Sequence, residues 1–162
     1  MLLALYREKE AWQLLLTCRT NTVTEHKGQV AFPGGAVDAT DSTRAETALR
    51  EAGEEVGLRS DDVTLLGCLS PYSTVTGWHV TPMVGTIPHA YPFRVNPDEI
   101  EAVFAVPLVW LADPKNQSTE PYINPRDGSE RSVFFFRPYT GYVIWGASAH
   151  MTLVLLEKAG LK

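Results

Sequence analysis

A chain of 162 residues that is 44% hydrophobic and 20% charged can bury one core and is too short for two ordinary domains, so residues 1–162 are read as a single domain. A net charge of −5 argues against a nucleic-acid coat, which needs clustered Lys and Arg, yet one polyphosphate ligand can be held by a metal ion and a few local cations. The apolar runs fall far short of the roughly 20 residues of a membrane span, Met1 to Leu5 is no signal peptide, and Cys18 and Cys68 lack metal-ligand spacing, so a cytoplasmic protein with buried thiols and no nucleic-acid or membrane partner is expected.

Two strand-like runs open the chain, Leu2 to Tyr6 and Trp12 to Cys18, with Arg7-Glu8-Lys9-Glu10 as the hairpin turn between them. A third, Gln29 to Phe32, stops at Pro33-Gly34-Gly35. From Thr43 to Val56 the period lengthens to about 3.6, and Ala45, Ala48, Leu49, Ala52 and Val56 form one helical stripe. Thr43 with Glu46 forms a capping-box pattern, and Gly57 is placed to end the helix. Further strands are predicted at Val63 to Leu69, Val80 to Ile87, Ile100 to Val106, Val133 to Phe136 and Tyr142 to Trp145, with a short helical turn over Pro107 to Ala112. Asp113 to Glu130, rich in Pro, Asn, Asp and Ser, reads as a loop bordering a substrate. A helix from about Ala147 to Ala159, apolar around most of its circumference, closes the chain against the sheet. Many strands and two substantial helices give an α/β (α+β) fold with a mixed central sheet between helices.

Residues three and four apart on a helix are neighbours, so Glu51, Glu54 and Glu55 point to one side, away from the Ala and Leu stripe. Like charges at such spacing cost roughly 0.2–0.5 kcal/mol per pair, and only Arg50 can pair with them locally. A solvated acidic face is the ordinary outcome for such a cluster. A hard cation such as Mg²⁺, however, takes several oxygen ligands shared between carboxylates and substrate phosphates, and Gly34-Gly35 shortly before the helix lets backbone approach such a site.

Gly35 to Leu58 resembles the Nudix box, G-x5-E-x7-R-E-U-x-E-E-x-G-U with U aliphatic. Arg50-Glu51-Ala52-Gly53-Glu54-Glu55-Val56-Gly57-Leu58 follows its second half, with Ala52 as the small aliphatic. The first half departs, because Asp41 stands where the family has Glu and eight residues, not seven, separate it from Arg50. Upstream, Leu15-Leu16-Thr17-Cys18-Arg19 and Gly28-Gln29-Val30-Ala31-Phe32-Pro33-Gly34-Gly35 resemble the coenzyme A pyrophosphatase motif, L-L-T-x-R-[SA]-x3-R-x3-G-x3-F-P-G-G. Thr20 replaces its Ser or Ala, and Thr24 its second Arg. Thr81 to Gly85, Asn96 to Ile100 and Ile144 to Ala149 are similar to later blocks of the same subfamily.

The resemblance implies a Nudix-type α/β/α sandwich. It also implies metal-dependent hydrolysis of a pyrophosphate bond in coenzyme A or an acyl-CoA, giving 3′,5′-ADP and 4′-phosphopantetheine or its acyl form. By the same resemblance Glu51, Glu54, Glu55 and the Gly34 carbonyl would hold Mg²⁺ or Mn²⁺, Arg50 would orient a glutamate, and Glu99, or Glu101 on the same strand, would be a distal ligand or general base. Arg19, His26, Lys27 and Gly35 are candidates for contact with the substrate, and Arg44 and Arg59 are further cations. Another nucleoside diphosphate derivative (ADP-ribose, a dinucleotide or a nucleoside triphosphate) stays open as the substrate, as does a nucleotide-binding module without catalysis, although such modules would be expected to lose the helix acids. A homodimer is also left open. His79, His89 and His150 read as structural or surface residues, and Trp12, Trp78, Trp110 and Trp145 as core, with Tyr72 and Trp78 the aromatic candidates for an adenine contact.

Overall fold

The computed structural model describes residues 1–20, 28–74, 77–123 and 128–162. Its sheet starts as a hairpin, β1 (Leu2–Glu8) against β2 (Ala11–Arg19), turning through Lys9 at φ 53° and Glu10. Leu2 to Leu5 are all buried because the sheet is covered on both faces and alternate side chains enter different layers. Leu2 and Ala4 join Ala48, Ala52 and Val56 of α1 (Arg44–Val56), whereas Leu3 and Leu5 join Met151, Leu155 and Leu156 of α3 (Gly146–Lys158).

Along β2 one edge is shared by β1 and the short β3 (Val30–Ala31), and the other is taken by β8 (Ile100–Pro107). β7 (Met83–Thr86) then pairs parallel to β1, and β4 (Thr64–Cys68) closes the edge antiparallel to β7. The sheet is therefore mixed and lies between α1 on one face and α2 (Leu108–Ala112) with α3 on the other. Thr43 caps α1 by accepting from the Glu46 N–H at 3.1 Å, and the Glu46 carboxylate accepts from the Ser42 N–H at 2.7 Å. Gly57 ends the helix at φ 69°.

Several expected elements differ. Val80 to Ile87 is divided, because Pro82 withholds an N–H where the chain turns from β6 (His79–Val80) into β7; β6 pairs with β5 (Tyr72–Ser73) in a small hairpin of its own. The expected loop from Asp113 contains a 3-10 turn (Pro114–Asn116) and β9 (Gln117–Ile123), which pairs antiparallel with β10 (Glu130–Phe136). β9 escapes a periodicity reading because most of it is exposed and it is held by main-chain pairing, with an open edge that tolerates Pro121. Tyr142 to Trp145 makes isolated bridges only, Tyr139 with Tyr142 and Phe135 with Trp145.

Cys18 is buried, but Cys68 is exposed on the edge strand β4, which no helix covers. Trp12, beside the turn of the first hairpin, and Trp78 are exposed rather than core. Among the described residues no helix is long and apolar enough to cross a membrane.

Candidate active site

Arg19 ends β2, Gly34 and Gly35 follow β3, and Arg50 to Glu55 lie on α1. The chain brings them together through main-chain bonds: Arg19 N–H donates to the Gln29 carbonyl at 3.0 Å, and Leu2 N–H to the Pro33 carbonyl at 2.8 Å, which sets the Gly-Gly turn beside the start of β1. Thr20 N–H donates to the Glu99 carbonyl at 2.9 Å and fixes Glu99 next to the same edge.

All five N–H donors of a guanidinium are used by Arg50. Nε and Nη2 grip Asp41 at 3.0 Å each, Nη1 reaches Glu51 at 3.0 Å and Glu54 at 3.1 Å, and Nη2 also meets the Ala36 carbonyl at 3.0 Å. Asp41, whose side chain is 4% exposed, is thus the anchor that lets Arg50 hold two glutamates at once. The Arg50 bonds keep the Asp41 carboxyl well below the usual carboxylate range. Sequence reasoning gave Asp41 no role because the box spacing displaces it by one residue.

The three glutamates do not share one solvated face. Glu54 is half exposed, whereas Glu55 is 2% exposed and accepts from the Gly34 N–H at 3.0 Å and from Arg19 Nη1 at 3.2 Å. Burial pushes the Glu55 carboxyl up to about 7, with the Gly34 bond and the Arg19 charge pulling the other way. Burial also raises Glu51, against its bonds to Arg50. Glu99, bonded to Asn96 Nδ2 at 3.1 Å, is close enough to add its charge to both.

The two glycines differ in what they permit. At Gly34, φ 150°, a Cβ would meet the Met1 backbone; at Gly35 it would fall on the Glu51 carboxylate, the movable end of a side chain. Gly35→Ala is therefore expected to fold with a melting temperature within a few degrees of the parent, while displaced Glu51 lowers turnover by about tenfold or more. Thermal melting measured beside steady-state kinetics checks both halves of that expectation.

Arg19, Gly34, Gly35 and Glu99 open into a cleft of about 860 Å³. Its other cation is Arg44, exposed in the first turn of α1 and without an ion pair among the described residues. Arg59 lies outside the cleft near Asp61 and Asp62, at 3.9 Å from each. Glu101 does not accompany Glu99. The pairing steps from Arg19 with Ile100 to Cys18 with Ala102, so Glu101 is the extra residue of a bulge and is exposed outside the cleft. His79 and His150, read as structural or surface residues, line the cleft together with Tyr72 and Trp78, the two aromatic candidates for an adenine contact. Thr24, His26 and Lys27 lie outside the described residues.

The NUDIX domain family model matches residues 1–123. The chain belongs to the Nudix family. The uncharacterised Nudix hydrolase NudL of Salmonella paratyphi B is 42% identical over 150 residues, spanning 92% of this chain and 76% of that protein. In fold, this Nudix hydrolase is similar to a MutT/nudix family protein from Enterococcus faecalis at a TM-score of 0.61 and 18% identity, covering 99% of this chain and 61% of the other. It is likewise similar to the C. elegans Ap4A hydrolase, at a TM-score of 0.57 and 17% identity over 66% of this chain and 77% of the other.

Nudix hydrolases generally use divalent metal ions, and the donor set here suits one. Among the described residues no three acids already converge on one cation position; Glu51 and Glu54 share Arg50 Nη1, and Glu55 is paired with Arg19. Glu51 and Glu55 are nevertheless carboxylates whose protonation burial favours, and the missing side chain at Gly35 is what gives the Glu51 carboxylate its room beside the turn.

A pH dependence follows. Between the ordinary value of 4.5 and about 7 the folded protein keeps a proton on Glu55 that the unfolded chain has released, so the metal-free protein loses stability as pH rises through this window. Cation binding needs the anion and reverses the sign: Mn²⁺ affinity is expected to rise on the order of tenfold from pH 5.5 to pH 7 and to level off above it. Calorimetric titration with Mn²⁺ across this range checks it, and an affinity independent of pH contradicts it.

Proposed function

We propose that this Nudix hydrolase cleaves the pyrophosphate bond of coenzyme A or an acyl-CoA, giving 3′,5′-ADP and 4′-phosphopantetheine or its acyl form. One observation carries the reading. The two halves of the coenzyme A-type motif, Leu15 to Arg19 and Gly28 to Gly35, meet at the box helix, with Arg19 and the Gly34 N–H both on Glu55 and Gly35 against Glu51.

Glu51, Glu54, Glu55 and the Gly34 carbonyl are the proposed oxygen ligands for Mg²⁺ or Mn²⁺, which when bound supplies charge neutralisation on the phosphates and a more acidic water. Arg50 keeps Glu51 and Glu54 oriented through its grip on Asp41. Glu99, held by Asn96 at the cleft, is the distal acid of choice over Glu101 and accepts the proton of the attacking water. The water oxygen bonds to one phosphorus, and the bridging oxygen leaves with the other phosphate. Arg19 is committed to Glu55, and among the described residues Arg44 is the cleft guanidinium left for a third phosphate, the ribose 3′-phosphate of coenzyme A.

A panel of coenzyme A, dephospho-coenzyme A and ADP-ribose tests this. Coenzyme A is expected to have the highest kcat/KM, and Arg44→Gln to remove about tenfold of its advantage over dephospho-coenzyme A, about one charge-assisted bond, while leaving the latter unchanged. A preference for the ligands lacking the 3′-phosphate would shift the substrate to another nucleoside diphosphate derivative.

A further inference from the structure

The cleft is polarised, and the polarity coincides with a division of the chain. Among the described residues its charged side chains, Arg19, Arg44 and Glu99, belong to the segment that matches the family, as does the Met1 ammonium. A further part of the lining comes from β10 and the start of α3, beyond residue 123, and none of the cleft residues of these elements is an Asp, Glu, Lys or Arg. Phe134 stands 38% exposed on β10, beside Val133. Trp145 is stacked in parallel with Phe135, with centroids 5.6 Å apart and planes at 8°, and Tyr122 lies tilted beside it at 6.0 Å. His150 stacks on Tyr72 at 4.4 Å, which ties α3 to the β5–β6 hairpin, and burial lowers its pKa, favouring the neutral imidazole. The Ser148 hydroxyl is already donated to the Val30 carbonyl at 2.9 Å.

A wall of this kind binds an uncharged, partly apolar group, since exposed aromatic surface gains from being covered and no ionic partner waits there for a phosphate. A diphosphate bound at the box extends to both sides of its anhydride, and the side with the additional phosphate is drawn to Arg44. We propose that the wall built by Tyr122, Val133, Phe134 and Trp145 is the subsite for the pantetheine arm and its acyl group. This rests on the coenzyme A reading above, and makes the C-terminal segment, rather than the box, the part that selects among acyl-CoA substrates.

Binding to the metal-free full-length protein tests the wall apart from turnover. By calorimetry, hexanoyl-CoA is expected to bind about tenfold more tightly than acetyl-CoA, four methylenes being covered in part. Phe134→Ser should abolish this chain-length gradient and Phe134→Leu should keep most of it, with 3′,5′-ADP, which has no arm, bound equally by all three proteins. An affinity indifferent to chain length in the parent, or a loss in Phe134→Ser as large for 3′,5′-ADP as for hexanoyl-CoA, overturns the proposal. If the gradient is found but Mg²⁺ or Mn²⁺ brings no release of acyl-phosphopantetheine, the wall stands and the coenzyme A hydrolysis reading fails.

Discussion

Glu55→Gln is expected to lower metal-dependent turnover by two or more orders of magnitude while the protein still folds, as loss of the proposed direct ligand exceeds the roughly 10- to 100-fold typical of a supporting residue. The amide matches the carboxylate in size and can still accept from the Gly34 N–H, so the local structure keeps a partner. What it removes is the negative charge that a cation needs. Because Glu55 is buried and Glu54 is half exposed, Glu55→Gln should also weaken Mn²⁺ binding more than Glu54→Gln does. Circular dichroism, Mn²⁺ titration and kinetics on the two variants separate folding from chemistry. Full activity in both would remove the helix carboxylates from the site.

The second large effect is expected at Arg50, whose loss should cost roughly 100-fold in turnover by freeing Glu51 and Glu54 together. Arg50→Lys should recover little, because an ammonium has three donors and cannot reproduce the two parallel bonds to Asp41 while reaching two further carboxylates and the Ala36 carbonyl. Asp41→Asn should act through the same network and more mildly. Its carboxyl is depressed in the folded protein, so its contribution to stability is present above the ordinary Asp range and is lost as pH falls through the lowered value; the Asn variant should lack that acid limb. A double-mutant cycle of Arg50→Ala and Asp41→Asn is expected to be strongly non-additive. Additive losses would show that the two residues act separately.

The helix α1 was legible because its stripe, cap and stop agree with one another, and the first hairpin because buried runs flank a charged turn. The box acids and Gly34-Gly35 could be read as one site because spacing along a helix is geometry in itself. Asp41 was not legible: its value lies in a bond to a residue nine positions on, across a segment one residue longer than the box pattern sets. The separation of Glu99 from Glu101 depends on a bulge, which sequence alternation conceals. β9 was missed for want of burial, and with it the aromatic wall, whose members lie far apart in the chain and meet only through strand pairing. Cys68 and Trp78 were misplaced because an apolar neighbourhood in sequence does not reveal that a strand lies on an edge or that a hairpin stands beside a cleft.

The most direct measurement is mass analysis of the products after incubating the protein with coenzyme A and Mg²⁺ or Mn²⁺, with Glu55→Gln as the control. Equal amounts of 3′,5′-ADP and 4′-phosphopantetheine from the parent, and almost none from the variant, are the predicted result. Intact coenzyme A under conditions in which the same preparation hydrolyses ADP-ribose or a dinucleotide would contradict it.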